Sequence, residues 1–178
     1  MRKKGFSLIE LMVSIVILTI LSAAGVNIFY RSIRGTSQLE LRKSLDDRSR
    51  LILSVVGRFV RESRVVSLDG VLKENCVSNG SQTGSTLVLK ALDNIDTALS
   101  ITNGLMSSVS ANGSIVINPD PTFTLTTVDA TPFFTWYCNS GISDRILFNF
   151  RANSISDSGE PTATKDYSTD LILRNTGQ

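Results

Sequence analysis

GFSLIELMVSIVILTILSAAGVNIFY, residues 5–30, decides the reading of this chain. It follows Met1, Arg2, Lys3 and Lys4 directly, and from Phe6 to Tyr30 its only charge is the carboxylate of Glu10. About 20 apolar residues suffice to cross the hydrocarbon of a bilayer as a helix, so the segment is long enough to span a membrane. A lone Glu in such a span costs about 2 to 4 kcal/mol, which directs it to a partner rather than to lipid. The natural partner is an amine. Arg2, Lys3 and Lys4 form a denser basic flank than Arg31 and Arg34 at the other end. That bias keeps the N-terminus in the cytoplasm and places everything after about residue 30 outside it.

The basic leader MRKK, then Gly5, Phe6 and Glu10, resembles the N-terminus of type IV pilin-like proteins, the family of pilins and secretion-system pseudopilins. The resemblance implies cleavage between Gly5 and Phe6 by a prepilin peptidase, N-methylation of Phe6, and a role for Glu10 in assembly. It also implies the partners: other pilin or pseudopilin subunits, the peptidase and the membrane. The precursor would be a single-pass inner-membrane protein, later part of a filament in the periplasm or at the cell surface. The spacing has a physical logic, because positions i and i+4 share one face of a helix. An incoming Phe6 ammonium that meets Glu10 of a neighbour satisfies two costly charges together, and an axial slip leaves both unpaired. Charge pairing would then set the register of a polymer.

Two plainer readings compete. A secretory signal peptide would be cut after the small residues Ser22, Ala23 and Ala24, yet its apolar region ordinarily runs about 7 to 15 residues without a carboxylate. A plain signal anchor would make Glu10 accidental. Within the pilin-like reading the minor-subunit or pseudopilin class is favoured, since major pilins commonly carry a proline late in the apolar helix and this chain has Asn27 and no proline before Pro119.

Beyond the span, Leu41, Leu45, Ile52, Val55, Val56, Phe59 and Val60 recur at helical steps, with Glu40, Lys43, Asp47, Arg50, Arg58, Arg61 and Glu62 opposite. One helix is therefore expected from Phe6 to about Ser63. Its amphipathic half suits either a coiled coil or the sheet of its own C-terminal domain, with the second favoured. The organisation is then leader 1–5, transmembrane and assembly helix 6–30, amphipathic continuation 31–63 and a β-rich globular head 64–178.

The head turns to β-branched residues, Ser, Thr, Asn and Gly. Strand-length apolar runs occur at 65–68, 71–73, 86–92, 114–118, 122–128, 133–138, 145–151 and 170–174, and residues 152–169 read as a polar excursion. Asp69-Gly70 is a hairpin turn signal, as are Asn79-Gly80, Asn103-Gly104, Asn112-Gly113 and Ser158-Gly159 turn signals. The fold class is α+β, pilin-like: a long N-terminal helix, transmembrane in its first half, packed on a small antiparallel sheet. Cys76 and Cys138 are the only cysteines, and in a non-cytoplasmic domain the economical reading is a disulfide.

Charge and composition narrow the function. Residues 31–64 hold nine Lys or Arg against four Asp or Glu, a formal +5, while residues 65–178 hold six against eleven, a formal −5. A head of that sign disfavours direct phosphate binding, so no nucleic-acid partner is expected. The chain contains no histidine, which excludes Ser-His and Cys-His nucleophile arrangements and histidine metal sites. Asp93 with Asp96, and Asp157 with Glu160, follow no EF-hand spacing and read as solvated loop acids. No cofactor, no metal and no enzymatic activity are expected. Phe133, Phe134, Trp136 and Tyr137 read as alternating core residues rather than an adhesive patch. The expected function is a structural subunit, a minor pilin or pseudopilin. The alternative is a membrane-anchored extracytoplasmic binding module that does not polymerise.

Overall fold

The structure is a computed structural model describing residues 7–138, 143–154 and 163–173, without the side chains of residues 34 and 37. Gly5 and Phe6 lie outside the described residues, as do the Ser158-Gly159 turn and the pair Asp157 and Glu160. A single helix, α1, runs from Leu8 to Glu62, so the expected helix holds nearly to the residue. The weak helix formers at 35–37 do not interrupt it. Two compact units divide the chain, residues 1–40 and 41–178.

In the first unit the helix is apolar on all sides from Leu8 to Tyr30, Glu10 apart. Polar side chains along it donate back to carbonyls of the preceding turn: Ser14 Oγ to Glu10 O at 2.7 Å, Thr19 Oγ1 to Val16 O at 2.8 Å and Asn27 Nδ2 to Ala23 O at 3.1 Å. Such back-bonding removes the need for water, which is what a polar group requires in an apolar surrounding.

In the second unit the same helix becomes amphipathic and buries one stripe. Leu45, Ser49, Ile52, Val56 and Val60 are all within 2% of full burial, at steps of three and four residues. Their partners are two antiparallel sheets. The first is built from β1 (Ser63–Leu68), β2 (Val71–Leu72), β4 (Thr86–Ala91), β5 (Asp96–Thr102), β6 (Leu105–Ser110) and β7 (Gly113–Val116), in the order β2-β1-β4-β5-β6-β7. The second has the order β11-β10-β9-β3, from β11 (Ala163–Ile172), β10 (Arg145–Ser154), β9 (Phe134–Tyr137) and β3 (Ser81–Gly84), with β8 (Phe123–Thr126) also paired to β10. A short helix, α2 (Lys73–Asn79), precedes β3 and ends on Gly80 in the left-handed conformation. Helix on antiparallel sheets is an α+β arrangement like that of pilins. The stripe from Leu45 to Val60 belongs to this core, not to a coiled coil.

Alternation within strands supplies the rest of the core. Ile146, Phe148, Phe150 and Ala152 of β10 point inward, beside Phe134 and Trp136 of β9 and Phe123 and Leu125 of β8. Phe134, Phe148, Phe150 and Tyr167 form a ladder of rings with centroids 4.8, 5.0 and 5.3 Å apart. From the first sheet come Val65, Leu68, Leu87, Leu89, Leu99, Ile101 and Met106. The aromatic run at 133–137 is thus core at Phe133, Phe134 and Trp136, while Tyr137 lies under the Arg145 guanidinium, 4.4 Å from its ring centre.

Two seams join the sheets. At one, the Asp69 carboxylate accepts the N–H groups of Ser85 and Thr86 at 3.0 and 2.7 Å, where the chain passes from β3 to β4. At the other, the buried Asn118 amide accepts the Met106 N–H and donates to the carbonyls of Gly104 at 3.2 Å and Phe123 at 3.3 Å. Gly104 itself needs its missing Cβ: its φ is +77°, and a Cβ there would stand 2.9 Å from Thr124 Cβ.

The strand reading needs correction at several places. β3, β5 and β6 arise from Ser- and Thr-rich stretches with no expected strand, and α2 replaces the end of the expected run at 71–73. The polar excursion at 152–169 is cut at both ends, since β10 extends to Ser154 and β11 begins at Ala163. Edge position explains the misreading: β11 is exposed along most of its length, so solvent rather than a core selects its residues.

Candidate functional site

The stretch that carries the functional signal is the first unit's helix. From Leu8 to Tyr30 its large apolar side chains are between 53% and 78% exposed, on every face. A helix apolar all round demands lipid or other apolar helices around it. This helix is long and apolar enough to cross a membrane, and none of its most apolar stretch is buried within the chain. Glu10 stands in the first turn, its N–H bonded to Ser7 O at 3.0 Å. Among the described residues no cation pairs with its carboxylate, which is exposed on an otherwise uncharged surface.

The second unit carries polar ties that sequence reading missed. Asp46 of α1 accepts Lys165 Nζ at 2.8 Å and the hydroxyl of Tyr167, both on β11. These two bonds, Lys165 first, hold the Asp46 carboxyl below its ordinary range. Burial, and then the bond to Asp46, push the Tyr167 hydroxyl up to about 12. Arg48 of α1 pairs with Asp120. The Asp120 carboxyl is drawn down to about 2 by the hydroxyl and N–H of Thr122, with Arg48 adding to them. On β10 and β11, Arg151 and Asp166 form a two-bond fork at 2.6 and 2.9 Å, which raises the one and lowers the other. These contacts clamp the amphipathic helix and the C-terminal strands; they do not converge on a cleft.

Cys76 on α2 and Cys138 after β9 are joined by a disulfide, with Cα atoms 5.8 Å apart and both side chains fully buried. The bridge stands beside the β3–β9 pair, Ser81 opposite Tyr137 and Gly84 opposite Phe134. Of the loop acids, Asp93 caps the N–H of Ile95 at 3.0 Å and Asp96 pairs with Lys90 at 3.3 Å. Among the described residues no three Asp, Glu, Cys or His side chains gather in a metal-binding group.

Residues 1–26 match the family model described as the prokaryotic N-terminal methylation motif. The chain therefore carries a type IV prepilin-like signal, and that signal runs directly into the exposed apolar helix. Motif and helix together support anchoring in a membrane. No curated protein and no solved structure matches the chain, and the unit from Leu41 onward lies outside the matched residues.

Proposed function

We propose that this protein is a structural subunit of a type IV pilus-like filament or secretion pseudopilus, of the minor pilin or pseudopilin class. Prepilin peptidase cuts the chain after Gly5, and the new terminus at Phe6 is methylated. The mature helix leaves the bilayer by packing its apolar surface against those of neighbouring subunits. Glu10 then meets the Phe6 ammonium of another subunit and fixes the axial register. The observation that carries this reading is the continuity between the methylation motif at residues 1–26 and an exposed apolar helix whose only charge from Leu8 to Tyr30 is Glu10.

Mass spectrometry of the protein isolated from cells tests the processing step. The expected product begins at a singly methylated Phe6; a chain beginning at Met1 in cells with an active prepilin peptidase refutes it, and one beginning after Ala24 supports export by signal peptidase instead. Glu10→Ala tests the assembly role. The variant precursor should insert in the membrane at the normal level yet be missing from sheared filaments. Undiminished incorporation removes Glu10 from the mechanism, and activity of the head without any polymer points to an anchored binding module.

A further inference from the structure

Exposed cations collect on one side of the second unit, where the last turns of α1 face the β4–β5 turn. An open cleft of about 660 Å³ there is lined by Leu53, Gly57, Arg58, Arg61, Glu62 and Leu92. A smaller one of about 310 Å³ continues past Glu62 and Leu92 to Arg64 and Lys90. Arg58, Arg61 and Arg64 are all exposed, and among the described residues none of them forms an ion pair. By contrast, Arg48, Arg145 and Arg151 of the same unit each have a carboxylate partner. The unpaired three therefore present a positive field, offset by Glu62 and by Asp93 of the turn and shared with Lys90, which Asp96 holds.

An apolar group stands in the middle of this field. Leu92 is 85% exposed. Its position is set by a closed turn, with Ala91 N–H bonded to Ile95 O at 3.2 Å and Asn94 N–H to Ala91 O at 3.0 Å. Asp93 bonds the N–H of Ile95 within the same turn, and Asn94 adopts a φ of +65° to close it. Gly57 forms part of the floor opposite. An exposed leucine on a fixed turn, ringed by unpaired guanidiniums, offers both an anchor and an orienting charge.

We propose that this cleft docks an acidic segment of another polypeptide that carries an apolar side chain. Its carboxylates meet Arg58, Arg61 and Arg64, whose forks suit bidentate pairing, and its apolar side chain covers Leu92 and Leu53. Charge complementarity fixes the sign of the occupant. The leucine and Glu62 fix its class: a phosphate polymer has no aliphatic side chain to cover Leu92, whereas a peptide supplies an apolar contact there and backbone N–H donors for the Glu62 carboxylate. The surface lies wholly within residues 41–178, so the inference stands whether or not the chain polymerises.

Fluorescence anisotropy on the purified full-length protein in a non-ionic detergent tests it. The probes are a labelled peptide of alternating Glu and Leu, an oligo-Glu peptide of equal length and a short DNA duplex. The Glu-Leu peptide should bind most tightly, and its affinity should fall as salt rises from about 0.05 to about 0.5 M. Arg58→Glu with Arg61→Glu should weaken it at least about tenfold. Leu92→Ser should weaken the Glu-Leu peptide about threefold or more and leave oligo-Glu unchanged. All replaced side chains are exposed, and unaltered thermal unfolding by Trp136 emission confirms that each variant is folded. Three results overturn the inference: no binding of the Glu-Leu peptide, binding indifferent to the arginine reversals, or tighter binding of the duplex than of the peptide.

Discussion

Replacing Asn118 by Ala probes how much one buried amide contributes to joining two sheets. Alanine removes three bonds at once, to the Met106 N–H and to the Gly104 and Phe123 carbonyls. The Gly104 carbonyl keeps the Leu125 N–H at 2.9 Å, so it is not orphaned. Met106 is fully buried and its N–H loses the acceptor, so a desolvation penalty adds to the net value of the bonds. At about 1 kcal/mol for each of the two bonds to carbonyls and about 1 to 3 for the stranded donor, the expected loss is about 3 to 5 kcal/mol. Against a total of about 5 to 15 kcal/mol for a typical domain, that is a large share. The assay is urea unfolding of the full chain in micelles, followed by the emission of Trp136, the sole tryptophan and fully buried in the second unit. The midpoint should fall with the slope unchanged. Asn118→Asp keeps the acceptor for Met106 but aims a carboxylate at two carbonyls; it should destabilise at neutral pH and recover in part on acidification. A loss below about 1 kcal/mol for the alanine variant refutes the reasoning, because the stranded donor alone accounts for that much.

The same titration serves four further predictions. Cys76→Ser combined with Cys138→Ser opens a loop of 62 residues and should cost about 4 kcal/mol in the chain-entropy model; a change under about 1 kcal/mol contradicts it. Below neutral pH, the carboxyls of Asp120 and Asp46 are both depressed in the folded state, so their contribution is present above 3.8 and is lost on further acidification, that of Asp120 as pH falls through about 2. Asp46→Asn with Asp120→Asn should flatten stability in that window, and an unchanged acid limb counts against the two ties. At the alkaline end the Tyr167 hydroxyl, raised from 10.0 to about 12, contributes stability that is present below pH 10.0 and lost as pH rises through about 12, and Tyr167→Phe should abolish that step. Gly57→Ala should stabilise by about 0.5 to 1 kcal/mol, because a Cβ there meets Leu171 at 3.6 Å in ordinary contact and the helix loses an entropic defect; destabilisation shows that the neighbouring chain cannot accept a methyl.

Legibility in the sequence followed local information. The long helix and its buried stripe were readable because apolar spacing at three and four residues belongs to one element. β4, β9 and most of β10 were readable for the same reason, from Leu, Val, Phe and Ile alternating in short runs. β5 and β6 were not: DTALSIT and LMSSVS bury only Leu99, Ile101 and Met106, and most of their other positions are Ser and Thr. The Asn103-Gly104 turn between them was visible, though the strands it joins were not. The motif at the N-terminus was legible as a contiguous string. The ties of Asp46 to Tyr167 and of Arg48 to Asp120 span 121 and 72 residues of sequence, and only the folded chain brings such residues together.

The disulfide has a consequence for the order of events during folding. Strand β3 at residues 81–84 finds its partner only when β9 at residues 134–137 has emerged, whereas β1, β4, β5, β6 and β7 are all translated before residue 117. A molecule folding from its N-terminus can thus complete one layer while Cys76 still waits as a lone thiol. Sulfur oxidation then fastens α2 beside β9, ahead of β10 and β11 in chain order, and with only two cysteines it has no wrong partner within the chain. The fraction of thiol resistant to alkylation is therefore a clock for folding, counting molecules in which the segment at β9 has reached α2.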